Sequence, residues 1–557
     1  MSIEDEGLYF LPLGGSGEIG MNLNLYGYGP EHARKWIIVD CGVTFGDLST
    51  PGVDLIMPDP SFIEERRDDL VAIILTHAHE DHMGAVAQLW ERLRCPIYAT
   101  PFTAYLMKGR LKEKGLHGEA ELHELPLDAR LTLGPFDLQF ITLTHSIPEP
   151  NGLAIRTPAG LILHTGDWKI DPDPMIGEAT DVDAITALGE EGILAMVCDS
   201  TNVFSDGVSG SEGDVRAELV KLVGEQTGRV ALASFASNVA RMETAIMAAE
   251  ANDRRVCLVG RSMHRMAEAA KHVGLMQTAQ PFVDEDDAAH FPKNSILYLC
   301  TGSQGEPRAA LTRIAEGSHR HVTLSKGDSV IFSSRVIPGN EKGIFALQNT
   351  LAERGVKIIT ERDRDIHVSG HPCREELRSM YNWAKPRIAI PVHGERRHLI
   401  EHAEFARTLQ VPMALAPKNG DLIRISADGA KVVDEVPHGR LHVDGRFITD
   451  ADAESMRERR KLAYGGHLSV SLAISANGQI EAGPDIRAVG IAESREYPLE
   501  TFLDTLADVA EAAFDRLKSR EKRDEEAVEE AIRRAVRREA SQVWGKKPIV
   551  NVIALTV

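Results

Sequence analysis

Thr76-His77-Ala78-His79-Glu80-Asp81-His82 packs three imidazoles and a carboxylate into a single short segment. Crowded histidines repel one another when protonated, so their natural companion is a divalent cation. On a loop, the alternate residues His77 and His79 can converge on one ion while Asp81 and His82 turn towards a second. Three further donors stand at the ends of strand-like runs. His145 ends LQFITLT, Asp167 follows LILHTG, and His393 follows RIAIPV. An aspartate such as Asp167 can bridge two ions. Divalent ions acidify a bound water towards neutrality and offset charge on a phosphoryl group, so the chemistry indicated is metal-assisted hydrolysis. Histidine-rich ligation favours zinc. His164, two residues before Gly166, reads as a packing or hydrogen-bonding residue.

The elements that must position these groups fall into three rhythms. From residue 8 to about 200, short apolar runs end in Gly-rich or His-rich loops: VAIIL (71–75), LQFITL (138–143), LILH (161–164), ILAMVC (193–198). With one clear helical stretch, MGAVAQLWERLR (83–94), this predicts stacked sheets with helices outside. From about 210 to 370, strands VALAS (230–234), VCLVG (256–260), ILYLC (296–300), VIFSS (330–334) and VKIIT (356–360) alternate with helices such as 239–250. That alternation predicts a parallel sheet whose strand-end loops line a cleft. A helix at 374–384 and the strand RIAIPV (387–392) follow. After about 455, LSVSLAISANGQIEAG reads as a hairpin with a tight primed turn at Asn477-Gly478. Helices at 499–519 and 524–542 and a last strand, IVNVIALTV, complete a small α+β domain.

Gly15-Ser16-Gly17-Glu18-Ile19-Gly20 spells a dinucleotide fingerprint, with Asp40 twenty residues beyond it. The fingerprint requires a helix after its third glycine. Here Met21-Asn22-Leu23-Asn24-Leu25-Tyr26 alternates as a strand, so the motif reads as a glycine turn between strands.

The 557 residues, 43% hydrophobic and 26% charged, describe an ordinary globular chain. No apolar run approaches the roughly 18 residues of a membrane span, and the acidic MSIEDEG start is unlike a signal peptide. Six scattered cysteines form no C-x-x-C pair, which suits buried thiols in a reducing, cytoplasmic setting and argues against cysteine ligation. A net charge of −21 opposes nucleic-acid binding through the overall field. A polyanionic substrate would need a local basic lining, for which Arg241, Arg261, Arg308 and Arg335 are candidates.

H-A-H-E-D-H (77–82), H-S-I-P (145–148) and H-T-G-D (164–167) resemble the metallo-β-lactamase superfamily, and the alternating insertion resembles its β-CASP nuclease branch. Asp199 in CDSTN and His371 in HVSGH match that branch's acidic residue and its late histidine. With PVHGE (391–395) and the C-terminal IVNVIALTV, the whole chain is similar to the ribonuclease J family of bacterial RNA-processing enzymes. The resemblance implies an α/β fold: a metallo-β-lactamase αβ/βα sandwich in two parts (1–207 and 371–450, the latter with a linker), an inserted Rossmann-like β-CASP domain (208–370) and a C-terminal α+β domain (451–557). It implies one metal on His77, His79 and His145, a second on Asp81, His82 and His393, and Asp167 shared, with zinc the expected ion and manganese or magnesium as alternatives. It also implies catalytic roles for Asp81, Asp199 and His371, although Asp199 reads equally well as a carboxylate that only orients a metal-binding histidine.

The activity implied is 5′-to-3′ exoribonuclease action preferring 5′-monophosphate single-stranded RNA, with internal cleavage, in RNA maturation and decay, by a homodimer or homotetramer. A phosphate-lined channel is expected from Ser237, Asn238, Ser333, Ser334, Arg335, His367, Ser369, Gly370 and His371, the last five-residue stretch leading into helix 374–384. Phe45 could stack on a base or simply pack in the core. A small-molecule hydrolase on the same scaffold would not need the insertion, and an inactive scaffold would be expected to have lost ligands. A DNA-directed nuclease is the nearer rival.

Overall fold

The computed structural model describes residues 6–276, 280–495 and 497–557. Two compact units emerge. The described residues up to Thr44 together with Met57–Gly439 form one, and Phe45–Ile56 with Arg440–Val557 form the other.

The first unit is built on two facing sheets. An eight-stranded sheet includes Gly7–Gly14, Leu23–Gly29, Lys35–Cys41 and Leu70–Ile74, with Asp421–Ser426 added at its far side. A seven-stranded sheet runs from Arg130–Leu133 through Phe136–Thr142, Asn151–Thr157, Gly160–His164 and Ile193–Asp199 to Ile388–Val392 and Met413–Ala414. Leu8, Phe10, Tyr26, Ile37 and Ile74 from the first sheet meet Phe136, Leu138, Leu153, Ile162 and Ile390 from the second in one shared core. The seven-stranded sheet's other face is covered by Ile185, Leu377, Met380, Phe405 and Ala406 from three helices. Runs rich in β-branched residues and buried on both faces make such central strands.

This layering aims the strand ends at one place. Gly160–His164, Ile193–Asp199 and Ile388–Val392 run parallel, so Asp167, Asp199 and His393 leave the sheet at the same edge. In the facing sheet Lys35–Cys41 is parallel to Leu70–Ile74, which delivers Asp40 and His77 to that edge as well.

Inserted between Asp199 and Ile388 is the expected parallel sheet, ordered Arg255–Val259, Ile296–Cys300, Val230–Ala233, Ser329–Phe332, Lys357–Ile359. The loops after Ala233 and Phe332 leave adjacent strands and lead to helices serving opposite sides of the sheet. That is the topological position where α/β sheets open a crevice. No helix follows Gly20, in keeping with the glycine-turn reading; Leu23–Gly29 is a strand.

In the second unit, His467–Ile474 pairs antiparallel with Ile480–Val489 and parallel with Ile549–Thr556. Phe502, Leu506 and Phe514 of helix Leu499–Asp515 and Val528, Ile532 and Val536 of helix Glu525–Trp544 cover it. The hairpin differs from its reading. Ile474 pairs with Ile480, and Ser475 closes on Gln479 through its backbone, so the connection is five residues long and not a two-residue primed turn. Among the described residues no helix is long and apolar enough to cross a membrane. All six cysteines are free and buried.

Phe136 is fully buried between the facing sheets. Phe136→Ala is expected to cost about 3–5 kcal/mol, read as a lowered Tm in calorimetry. An unchanged Tm would show that the sheets do not depend on this core.

Candidate metal centre

His77 and His79 leave the strand Leu70–Ile74 in an extended segment, and His79 is the N-cap of the one-turn helix Glu80–Met83. Asp81 and His82 therefore sit on a helical turn rather than on a loop, which swings them away from the first pair. His77 Nε2 and His145 Nε2 each lie 3.1 Å from His79 Nδ1. With Asp167 they form one convergent donor group; Asp81, His82, Asp167 and His393 form a second.

The outer nitrogens decide what the inner ones can do. Thr76 Oγ1 donates to Asp40 Oδ2 at 2.8 Å, so it accepts from His77 Nδ1 at 3.0 Å. The Gly370 carbonyl can only accept, so His145 Nδ1 carries a proton. His79 Nε2 pairs with Ser237 Oγ at 3.1 Å. In neutral rings, protons on the outer nitrogens leave lone pairs facing inward. Burial, followed by the neighbouring histidines, holds His77 and His145 well below the usual imidazole range, and burial pushes His79 down to about 4. Three neutral imidazoles thus point lone pairs at a common centre.

On the second side, His82 Nδ1 donates to Asp40 Oδ2 at 2.7 Å, and its Nε2 lies 3.2 Å from Asp167 Oδ2. Burial opposes the charged ring, but Asp167, Asp81 and Asp40 overcome it and raise His82 well above its ordinary value. A cation and that proton compete for the same lone pair. Asp167 is held well below the carboxylate range: burial works against this, and His393, His82 and His371 prevail. Its Oδ1 is buried with no hydrogen-bond partner among the described residues. An orphaned carboxylate oxygen between two inward-facing imidazole sets fits divalent cations, and no other group present answers it.

Asp199 and His371 form a pair of their own. His371 Nδ1 lies 2.8 Å from Asp199 Oδ2 and 3.8 Å from Asp167 Oδ2. Asp199 Oδ1 accepts from the Thr201 amide and hydroxyl. Burial disfavours the charged ring of His371, but the Asp199 and Asp167 carboxylates raise it to about 9. Asp199 thus hydrogen-bonds His371, and with Asp167 and His393 the two make a third convergent group.

Several expected channel residues are otherwise employed. Asn238 caps helix Val239–Glu250 and donates to Glu212. Ser333 is buried, donating to the Ile366 carbonyl and accepting from Arg241. Arg241 itself is fully buried in a bidentate pair with Glu212, so it is no part of a basic lining. Ser334 is buried beside Gln304. Ser369 Oγ accepts from the His371 amide and from Asn202. The first amides of helix Arg374–Ala384 are occupied as well: Cys373 N by Glu376, Arg374 N by Ser205 O, Glu375 N by Gly207 O. That helix start offers no free amides to an anion.

Gly370 serves by having no side chain, since a Cβ would lie 2.8 Å from the His145 ring. Phe45 is 61% exposed in the second unit, which excludes core packing. Left open are exposed Arg335 and His367, whose Nδ1 is buried without a partner among the described residues. Burial first, then the charges of Arg241, Arg335 and Lys169, push His367 down to about 3.

Asp40 is what sequence reasoning missed, noticing it only as a misleading nucleotide ligand. It is fully buried and holds both Thr76 and His82. Its position at the end of IIVDC, facing the end of VAIIL, was the available signal. Asp40→Asn is expected to weaken Zn2+ binding by roughly 10–100-fold, measured by titrating metal-stripped protein. Unchanged affinity would remove Asp40 from the site.

Comparisons with known proteins bear on the family of the chain. Residues 35–188 match the beta-lactamase superfamily domain, and 227–351 the ribonuclease J beta-CASP domain. Residues 355–415 match the Zn-dependent metallo-hydrolase RNA specificity domain, and 454–557 the ribonuclease J C-terminal domain. Ribonuclease J of Sinorhizobium meliloti is 46% identical, over 99% of this chain and 97% of its own. That of Corynebacterium glutamicum is 38% identical over 99% and 76%, and that of Thermus thermophilus 36% over 82% and 80%. A solved structure of a protein of unknown function from Enterococcus faecalis V583 shares the fold alone, with a TM-score of 0.52 and 17% identity, covering 75% of this chain and all of that one. A buried metal-binding cluster, an inserted β-CASP sheet and near full-length identity to these enzymes converge: the chain belongs to the ribonuclease J family and is a metal-dependent ribonuclease.

Proposed function

We propose that the protein hydrolyses RNA phosphodiesters with two divalent cations, processively from a 5′-monophosphate end and also internally. The observation that carries this reading is the Asp199–His371 pair set against a carboxylate, Asp167, shared by both donor groups. His77, His79, His145 and Asp167 would hold one cation; Asp81, His82, His393 and Asp167 the other. Bound there, the cations would supply an acidified water and counter-charge for the phosphoryl oxygens, with zinc favoured by the nitrogen-rich donors. The protein's own part is proton management. Asp199 fixes the proton on His371 Nδ1, leaving the Nε2 proton for the leaving oxygen. Asp81 orients and charges the second group.

The open Nδ1 of His367 and the exposed guanidinium of Arg335 support a place for the 5′-phosphate, with Ser237 bounding the site through His79. The exposed ring of Phe45 suits base stacking. Solvent-facing Ile553 and Leu555 on the last strand support homodimer or homotetramer contacts, and six buried free thiols suit the cytoplasm.

A product-length time course on end-labelled RNA tests this. The expected result is progressive loss of mononucleotides from 5′-monophosphate RNA in the presence of metal, and slower loss from 5′-triphosphate RNA. Equal rates would defeat the end pocket, and faster cutting of single-stranded DNA would move the enzyme to the DNA-directed branch. His79→Ala should abolish turnover. His371→Ala and Asp199→Asn should each lower kcat by about 10²–10⁴-fold with KM little changed. A rise in KM alone would make the pair a binding device instead.

A further inference from the structure

The glycine motif at 15–20 has no nucleotide to bind, yet its geometry is specific. Gly15 has φ +83°, and a Cβ there would lie 2.3 Å from Asn22 Oδ1. The loop thus closes directly on the Asn22 side chain, which is 2% exposed. Asn22 is fixed by its backbone first: its N–H donates to Asp81 O at 2.9 Å, and its carbonyl accepts from Gly42 N at 2.8 Å. Its Nδ2 donates to Asp81 O at 3.0 Å and lies 3.2 Å from His82 Nε2. Its amide meets His393 Nδ1, with Nδ2 at 2.9 Å and Oδ1 at 3.1 Å. One planar amide therefore touches Asp81, His82 and His393, the three donors that the second group does not share with the first.

His393 needs such support. Its φ of +51° lies in the left-handed region that non-glycine residues seldom occupy. The same loop holds its backbone: His393 N donates to Gly15 O at 2.8 Å, and Ser16 pairs with Gly394. Nδ2 gives one proton to the Asp81 carbonyl, and the Nδ1–H tautomer of His393 is the one that donates to Oδ1. That leaves the Nε2 lone pair directed towards Asp167 Oδ2 at 3.5 Å and Asp81 Oδ2 at 3.8 Å.

We propose that Asn22, seated by the Gly15–Gly20 turn, is a positioning residue that sets the affinity of the second cation by fixing the tautomer and orientation of His393 against Asp81. This deepens the two-cation reading and rests on it.

The test uses the full chain, stripped with chelator and titrated with Zn2+ alone, with bound metal counted by elemental analysis. Wild type is expected to take up two cations per chain. Asn22→Ala should keep the first at unchanged affinity and bind the second roughly 10–100-fold more weakly. Gly15→Ala, which retains the amide but pushes it aside, should do the same. Thermal unfolding of both metal-free variants should stay cooperative. Two cations at wild-type affinity in Asn22→Ala would overturn the proposal, as would equal weakening of both sites or loss of cooperative unfolding, each of which makes the amide a general fold support. One cation in the wild type would sink the parent two-cation reading before any variant is compared.

Discussion

The structure depends on keeping five imidazoles and two carboxylates crowded together and, Asp81 apart, largely out of water. Left alone, such groups oppose folding, because buried polar atoms without partners cost about 1–3 kcal/mol each and charged ones more. The protein meets this by giving each ring's outer nitrogen a partner: Thr76 for His77, Ser237 for His79, Asp40 for His82, Gly370 for His145, Asn22 for His393. The unmet demand is thereby concentrated on the inner nitrogens and on Asp167. A site satisfied on its outside and unsatisfied at its centre is selective for a small, highly charged occupant.

That constraint explains why the insertion cannot be a loose appendage. Two of the five outer partners, Ser237 and Gly370, belong to it. Its attachment is correspondingly stiff. Lys169 and Asp171 pair in the interior at 2.8 Å, Asp171 accepts from Ser211 and from the Glu212 amide, and Glu212 grips Arg241. Arg241 then donates to Ser333 and to the Ile366 carbonyl. This run of buried ions joins the start of the insertion to its end. Removing one partner of a buried pair costs about 3–5 kcal/mol because the other charge is stranded. Such a chain therefore fixes geometry more than it adds stability. The loops that would face RNA and the ligands that would face metal share a single rigid frame.

Much of this was legible in the residues, and the boundary has a physical cause. The seven His and Asp positions that the structure brings together could be singled out because metal binding demands particular residue types, and strand ends betray themselves as apolar runs that stop at a polar residue. The parallel insertion was visible for the same reason, as period and β-branching repeat along it. Legibility failed where a residue's role depends on what lies opposite in space. Arg241 and Ser333 looked like channel walls because they follow strands, yet each is buried against a partner over 25 residues away. The helix at Arg374 looked ready for phosphate because its start is Ser- and Gly-rich, but Ser205, Gly207 and Glu376 already occupy its amides. Asp40, near the end of a strand, and Asn22, just before one, escaped because a lone polar residue does not show what lies opposite it in space.

The acidic balance sharpens what substrate binding must rely on. With Arg241 neutralised by Glu212, the candidate basic lining reduces to the exposed Arg261, Arg308 and Arg335. A chain of net charge −21 cannot attract RNA over distance, since screening limits such fields to about 8–10 Å at physiological salt. Affinity must then come from close contacts in the crevice between the loops after Ala233 and Phe332 and from the cations themselves. Because Ser237 stands in one of those loops and also holds His79, a strand drawn into the crevice meets the metal ligands' own support. Binding and chemistry would be joined through that hydroxyl, and bound cations would add their charge to that of Arg335 and of the raised His82 and His371. Cation occupancy would then favour substrate capture as well as hydrolysis.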